Sequence, residues 1–351
     1  MKKIFIFVVF FFLLVACKEK DVTTPIPATP IPNITEDTRP AFSFILNVHD
    51  WYNPEESAET LTHLLDIFEK YNIKAEFYFT EPIFKTYEQY HPEVLQRLLE
   101  DNMTISFHIR QPHPVIFGSS QYSAAIENMS SSERIAKLTD YEIYALNLST
   151  GGIDYTHPGG YSYIKEKIGY APIVAGLNAD SPTLRKDELK VLKSMGLQMY
   201  IREHMGDTLD TGDSGLLTRP SQFGIEEQDQ KYNYFVNGQS LGPVDPLHSV
   251  VDPSELFAGA QGYGLFVAHE NDFYTESPGW TQVYWRNLQG DHYIVKPSPY
   301  DLTASDGNLR FFTEEEMNQQ WENYEAIVAY ASEHFRIVTS RDIIAEYNAN
   351  K

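Results

Sequence analysis

The chain predicts an α/β fold, an irregular or incomplete (β/α) barrel of about seven strands with inserted loops. Apolar, β-branched and aromatic runs at 41–48, 75–80 and 103–108 alternate with segments of helical spacing, the order of parallel strands joined by helices. The first and third runs end in Asp and His, at the edge where such sheets collect functional side chains. Strand–helix alternation recurs about seven times along the chain, short of a full eight-unit barrel.

The elements follow in order. After the first strand, Leu61, Leu64, Leu65 and Phe68 carry the apolar spacing of a helix, and Ala75–Thr80 reads as the second strand. The third strand leads into a loop containing His108, Arg110 and His113. Gly118–Ser132 is polar and Ser-rich, an active-site loop or a solvated connection. Glu133–Leu148 has helical spacing, with Ile135, Leu138, Ile143 and Leu146 as core positions. Gly151–Gly160 is a short strand entering a Gly/Pro loop; Ala171–Leu177 is a strand; Leu184–Met195 is a helix closed by Gly196. Leu197–Ile201 is another strand. Glu203–Gly262 is turn-rich and predicts hairpins or a subdomain near the site. Tyr263–His269 is a strand ending in His269 and Glu270. The irregular stretch Asn271–Arg310 holds Trp280, Tyr284, Trp285 and Tyr293, which suit either packing or stacking on sugar faces. Thr313 followed by three glutamates opens a helix in capping style, and a strand at 334–339 and a helix at Arg341–Tyr347 close the chain.

Composition sets limits. At 351 residues the chain has room for one large or two small domains. The net charge of −22 argues against nucleic acid and against peripheral binding to anionic lipid. The amino terminus is more specific. Met1-Lys2-Lys3 precedes an apolar run, Ile4–Val15, too short for a comfortable membrane span. The run closes on Leu14-Val15-Ala16-Cys17, which resembles the lipobox of bacterial lipoproteins, and Cys17 is the only cysteine. Residues 1–17 therefore read as a lipoprotein signal peptide with Cys17 the lipidated residue, leaving neither a disulfide nor a thiolate ligand in the mature protein. Lys18–Pro40 alternates Pro with small residues, the composition of an extended, semi-rigid tether. The expected location is the cell envelope, anchored by lipid to what is expected to be the outer membrane. The single domain at 41–351 would then face the periplasm or the cell surface as a monomer.

The residues alone suggest a chemistry. Asp50, His108 and His113, one carboxylate and two imidazoles at strand ends, make a three-ligand divalent-metal site with open positions, as catalytic zinc uses. Such an ion would acidify a bound water and polarise a carbonyl. Arg110, between the two histidines, is placed to reach an acidic substrate group or a surface carboxylate. A glycosidase would need two carboxylates across a cleft, and no convincing pair stands out.

The stretch reading NVHDWYNPE, then IKAEFYF, then HIRQPH resembles the polysaccharide deacetylase family, also called the NodB-homology or carbohydrate esterase 4 family. The order and spacing match the family's Asp-Asp strand end, its second strand and its two-histidine motif. The resemblance runs over most of the mature domain and is weakest at 203–262. It implies a NodB-like barrel and one divalent ion, Zn2+ or else Co2+, Ni2+ or Mn2+, on Asp50, His108 and His113. The implied reaction is removal of an N- or O-linked acetyl group from a glycan. His49 stands where the family has its general base, which makes it a proton acceptor or a further ligand. His157 replaces the family's arginine in the segment Thr156–Gly160, so His157 and Gly159 are substrate-binding candidates. His269 matches the general acid, and Asp180 the carboxylate that tunes it. The histidine spacing is one residue longer than the family's. The departures leave two alternatives: a different hydrolysis on the same scaffold, or a glycan-binding lipoprotein without catalysis.

Overall fold

In the computed structural model, eight strands run parallel among the described residues. They are β1 (Ala41–Val48), β2 (Glu76–Phe79), β3 (Thr104–His108), β4 (Val174–Gly176), β5 (Met199–Arg202), β6 (Leu217–Pro220), β7 (Phe223–Gln228) and β8 (Tyr263–His269). Their spatial order is β7-β8-β1-β2-β3-β4-β5-β6. The structure describes residues 37–116, 120–177, 179, 181–202, 209–212, 214–220, 223–228, 231–236, 239–240, 247–260, 262–286, 294–305, 307 and 309–351.

The strand order shows that the sheet is rolled. β6 and β7 lie at opposite ends of the run, yet only two residues separate them in the chain. Eight flat strands at about 4.8 Å spacing would hold those ends about 34 Å apart. Three residue steps reach about 11 Å at most. The two ends therefore meet, and β6–β7 acts as one strand shared between both edges, giving seven barrel positions. Residues of β6 pair with β5 and residues of β7 with β8, and no described residue pairs with both, so the barrel is incomplete. The turn-rich 203–262 stretch, expected to form hairpins or a subdomain, supplies this closing strand. It also adds an antiparallel hairpin strand, Lys231–Val236, on β7.

Side-chain alternation confirms the curl. Arg219 of β6 is fully buried and donates to Ser43 Oγ on β1 at 3.0 Å and to the Gly264 carbonyl on β8. Neither strand neighbours β6 in the sheet, so the guanidinium crosses the barrel interior. Glu76 of β2 faces it at 3.9 Å and accepts from the Ser340 amide and hydroxyl. Ile45, Tyr78, Val174, Met199, Leu217 and Leu265 fill the same interior. Ile343 and Ile344 of the closing helix, Ser340–Ala349, join them. The opposite face (Phe42, Phe44, Leu46, Phe77, Ile105, Phe107) packs against the outer helices. Among these helices, α1 (Pro54–Lys70) contributes Leu61, Leu64 and Phe68.

Local signals explain the boundaries. Thr313 Oγ1 accepts from the Glu316 amide while the Glu316 carboxylate accepts from the Thr313 amide, the reciprocal cap the sequence suggested for Glu314–His334. Gly196 ends the helix Pro182–Met195 at φ 128°, a conformation that side chains disfavour. Two expectations are corrected. The helix expected over 133–148 spans Ser131–Ile143, because Tyr144–Leu146 pairs instead with Ile153–Pro158 in a separate hairpin outside the barrel. The Ser-rich stretch at 118–132 includes a helix, Ser120–Glu127. No helix among the described residues is long and apolar enough to cross a membrane.

Candidate active site

Three strand ends converge at the carboxyl mouth of the barrel. On β1 the inward positions Ser43, Ile45 and Asn47 lead on to His49 just past the strand end. β3 ends at His108 and β8 at His269. Asn47 and His269 are register partners, and the Asn47 amide lies 3.2 Å from His269 Nε2. The His49 ring centroid is 5.0 Å from that of His269 and 5.7 Å from that of His108. Arg110 completes the group, its guanidinium 3.4 Å from His269 Nε2.

The partners assign each imidazole proton. Trp280 Nε1–H donates to His49 Nδ1 at 2.6 Å, and an indole nitrogen only donates. Neutral His49 therefore carries its proton on Nε2, which has no hydrogen-bond partner. His108 Nδ1 donates to the Gly176 carbonyl at 3.1 Å, so its buried Nε2 holds a free lone pair. Gly176 is required there: a Cβ would lie 2.4 Å from His108 Nδ1. At His269, Arg110 can only donate, so Nε2 accepts and the ring proton sits on Nδ1, 3.5 Å from Asp272 Oδ2. The same Asp272 oxygen accepts the His269 backbone amide at 2.7 Å.

Electrostatics keep the deeper rings neutral. Burial lowers His49 well below the ordinary imidazole range, and the charges of His269, Arg110 and His108 add to it. His108 is lowered by burial first and then by Arg110 and His269. The mouth thus gathers one N–H donor on His49, one unpartnered nitrogen on His108, an acceptor nitrogen on His269 that faces Asn47 and Arg110, and a guanidinium.

A carboxylate layer lies beneath. Glu270 Oε1 accepts both the His49 amide, at 2.5 Å, and the Asp50 amide, so it fixes the backbone at the end of β1. Asp50 Oδ2 accepts from Asn53 Nδ2 at 2.9 Å and Tyr274 Oη at 2.7 Å. Burial raises Asp50, and it raises Glu270 well above the usual carboxylate range, with the Asp50 charge as second cause.

His113 does not join Asp50 and His108. Its Nε2 lies 3.2 Å from Glu142 Oε1. His113, Glu142 and Glu188 are all buried, and one ligand atom from each lies within 4.8 Å of the others. Among the described residues this is the one such group, so the expected ligand set Asp50–His108–His113 is not assembled. The reason is the loop: the extra residue between the histidines turns His113 outward, toward the helix Ser131–Ile143 that carries Glu142 and the helix Pro182–Met195 that carries Glu188. His108 and His113 still line one small cleft, of about 30 Å³, with Arg110, Tyr141 and Glu142.

The other expected residues are dispersed. His157 is exposed on the outer hairpin, where its Nδ1 contacts Asp154 Oδ2 at 2.7 Å. Gly159 serves packing: a Cβ would lie 2.3 Å from Ala145 Cα. Trp280, Tyr284 and Trp285 are buried in a satellite cluster with Tyr300, not offered to a sugar. Asp180, Tyr293 and Cys17 lie outside the described residues. Sequence reasoning missed Trp280 as the partner of His49, and also Asp272, Glu142 and Glu188. A signal existed for the last two. Leu138 precedes Glu142 by one turn, and Leu184 and Leu192 bracket Glu188, so both carboxylates interrupt buried helical faces.

No protein-family model matches the chain, and no curated protein matches it. Solved structures do. The chain is similar to Puue Allantoinase at 11% identity and a TM-score of 0.49, over 93% of this chain and 98% of that one. It is similar to a probable polysaccharide deacetylase from Pseudomonas aeruginosa PAO1 at 13% identity and a TM-score of 0.47, over 88% and 91%. It is similar to a 4-alpha-glucanotransferase from Thermococcus litoralis at 14% identity and a TM-score of 0.43, over 88% and 40%.

Proposed function

We propose that the barrel mouth hydrolyses an acyl group, an acetyl ester or N-acetyl amide borne by a carbohydrate. The observation that carries this reading is the opposite polarity of two neighbouring imidazoles: His49 offers Nε2–H, and His269 offers an acceptor Nε2, held only by long contacts to Asn47 and Arg110 and backed by Asp272. Acyl hydrolysis needs that pair, a proton acceptor for water and a donor for the carbonyl oxygen.

His269 Nε2 takes the proton of the attacking water as the water oxygen bonds to the carbonyl carbon. The Asn47 amide and the Arg110 N–H face this nitrogen at 3.2 and 3.4 Å, both long for a hydrogen bond, and the attacking water takes their place. Charge building on the carbonyl oxygen is met by His49 Nε2–H and the Arg110 guanidinium. His49 acts here as a neutral electrophile, since its one free lone pair is occupied by Trp280 and it can neither accept the proton nor ligate an ion through Nε2. When the carbon–oxygen or carbon–nitrogen bond breaks, His269 returns the proton to the leaving atom and acetate departs. Asp272 steadies the imidazolium in between. A divalent ion held by His113, Glu142 and Glu188 supplies, when bound, Lewis acidity beside this cleft. The glycan assignment rests on the sequence resemblance.

The test is acetate release by the purified protein from acetylated xylan and chitin oligosaccharides, with His49→Phe alongside. Wild-type turnover is expected, with the His49 variant down by about 10²–10³-fold in kcat, the loss typical of one oxyanion donor. No release from any acetylated sugar would sink the reading in favour of a binding protein. Full activity in His49→Phe would remove its electrophile.

A further inference from the structure

We infer that His113, Glu142 and Glu188 form a binding site for one divalent first-row metal ion, and that the ion lies there and not between Asp50 and His108. All three residues are buried, at 6%, 0% and 0% exposure. Glu188 lacks a hydrogen-bond partner on either carboxylate oxygen, while Glu142 Oε1 and His113 Nε2 have only each other, at 3.2 Å. Two buried carboxylates converging on one imidazole are costly unless something fills the point between them.

The donor set suits a cation. Two carboxylates neutralise a 2+ charge, so the filled site buries no net charge. One imidazole with two carboxylates favours Zn2+ or Mn2+ over Mg2+ or Ca2+, which prefer all-oxygen shells. The outer shell is built as well: Glu142 Oε2 accepts the Tyr161 amide at 2.9 Å, fixing that carboxylate's plane. Next to Glu188, Asp187 binds Arg134 at 2.8 Å and Lys190 at 2.6 Å, clamping the two helices that carry the glutamates. Loading places the His113 proton on Nδ1, giving up the 3.3 Å contact from the Val115 amide.

Asp50 and His108 offer a poorer alternative. Asp50 Oδ2 is already shared by two donors, which leaves Oδ1 as its one open oxygen. Near His108 the next ring is His49, whose Nδ1 would have to give up the 2.6 Å bond from Trp280, and Arg110 places a fixed positive charge beside both.

The full-length protein, stripped with chelator, is titrated with Zn2+ and separately with Mn2+, and bound metal is counted by elemental analysis. One ion per chain is expected. Its affinity should fall in Glu188→Gln and in Glu142→Gln by more than the roughly 10–100-fold that outer-shell changes cost. Asp50→Asn and His108→Gln should bind as wild type does. The glutamine variants keep shape, and circular dichroism of the metal-free forms checks that they fold. Co2+ loading adds a visible absorption band that the Glu188→Gln protein should lack. No uptake of either ion overturns the site. So does an ion kept in Glu188→Gln and lost in Asp50→Asn. Because binding is read without substrate, these outcomes are separate from whether acetate is released.

Discussion

Replacing His269 with alanine lowers kcat/KM for acetate release by about 10²–10⁴-fold, the range for loss of a positioned acid–base group. The expectation follows from its placement. His269 is the most exposed of the three mouth imidazoles, its Nε2 lone pair faces donors, and its Nδ1 faces Asp272. It is thus the ring that both reaches solvent and has a carboxylate beside its second nitrogen. Asp272→Asn keeps the shape and removes the charge that steadies the imidazolium, so it lowers kcat with little change in KM. A purely structural role would appear differently, as lost folding or raised KM. His269→Ala with near wild-type kcat would transfer the base role elsewhere, with His108 Nε2 the next candidate.

Glu76→Ala destabilises the fold by about 3–5 kcal/mol, the cost of leaving a buried ion uncompensated. Arg219 and Glu76 are both fully buried at the amino-terminal floor of the barrel, remote from the mouth. Burial raises the Glu76 carboxyl and Arg219 opposes that shift, as a compensating partner should. Without Glu76 the guanidinium keeps only Ser43, the Gly264 carbonyl and whatever water enters. Urea denaturation of the wild type and of Glu76→Ala measures the loss. A difference below about 1 kcal/mol, the size of an exposed pair's contribution, would contradict it. The double variant Glu76→Met with Arg219→Met should recover much of the stability, since the charge is removed together with its partner.

The contrast between floor and mouth shows what the sequence could reveal. The strand Tyr263–His269 and the capped helix opening after Thr313 were legible because period, caps and turn residues are local. The barrel count was legible for the same reason, although the piece that closes it was not. β6 and β7 are short, and the pairing that defines them comes from β5 and β8, far away in the chain. Among the candidate site residues, His49, Asp50, His108, His269 and Arg110 stand out in the sequence because they lie at or just past the ends of apolar strands. His113 was found but placed with the wrong partners, since a five-residue spacing in a loop sets no direction. Glu142 and Glu188 belong to helices whose packing against that loop is tertiary. The role of His49 depends on one indole 231 residues away, and no local pattern announces that bond.

The most direct measurement is the protonation state of the mouth histidines, read from long-range 15N–1H NMR spectra of the imidazole nitrogens near pH 7. His49 is expected as the Nε2–H tautomer, with His108 and His269 as Nδ1–H tautomers. Trp280→Phe should release His49 from its fixed tautomer and leave His108 unchanged. A His49 ring carrying its proton on Nδ1 would contradict the assignment of donor and acceptor on which the proposed hydrolysis rests.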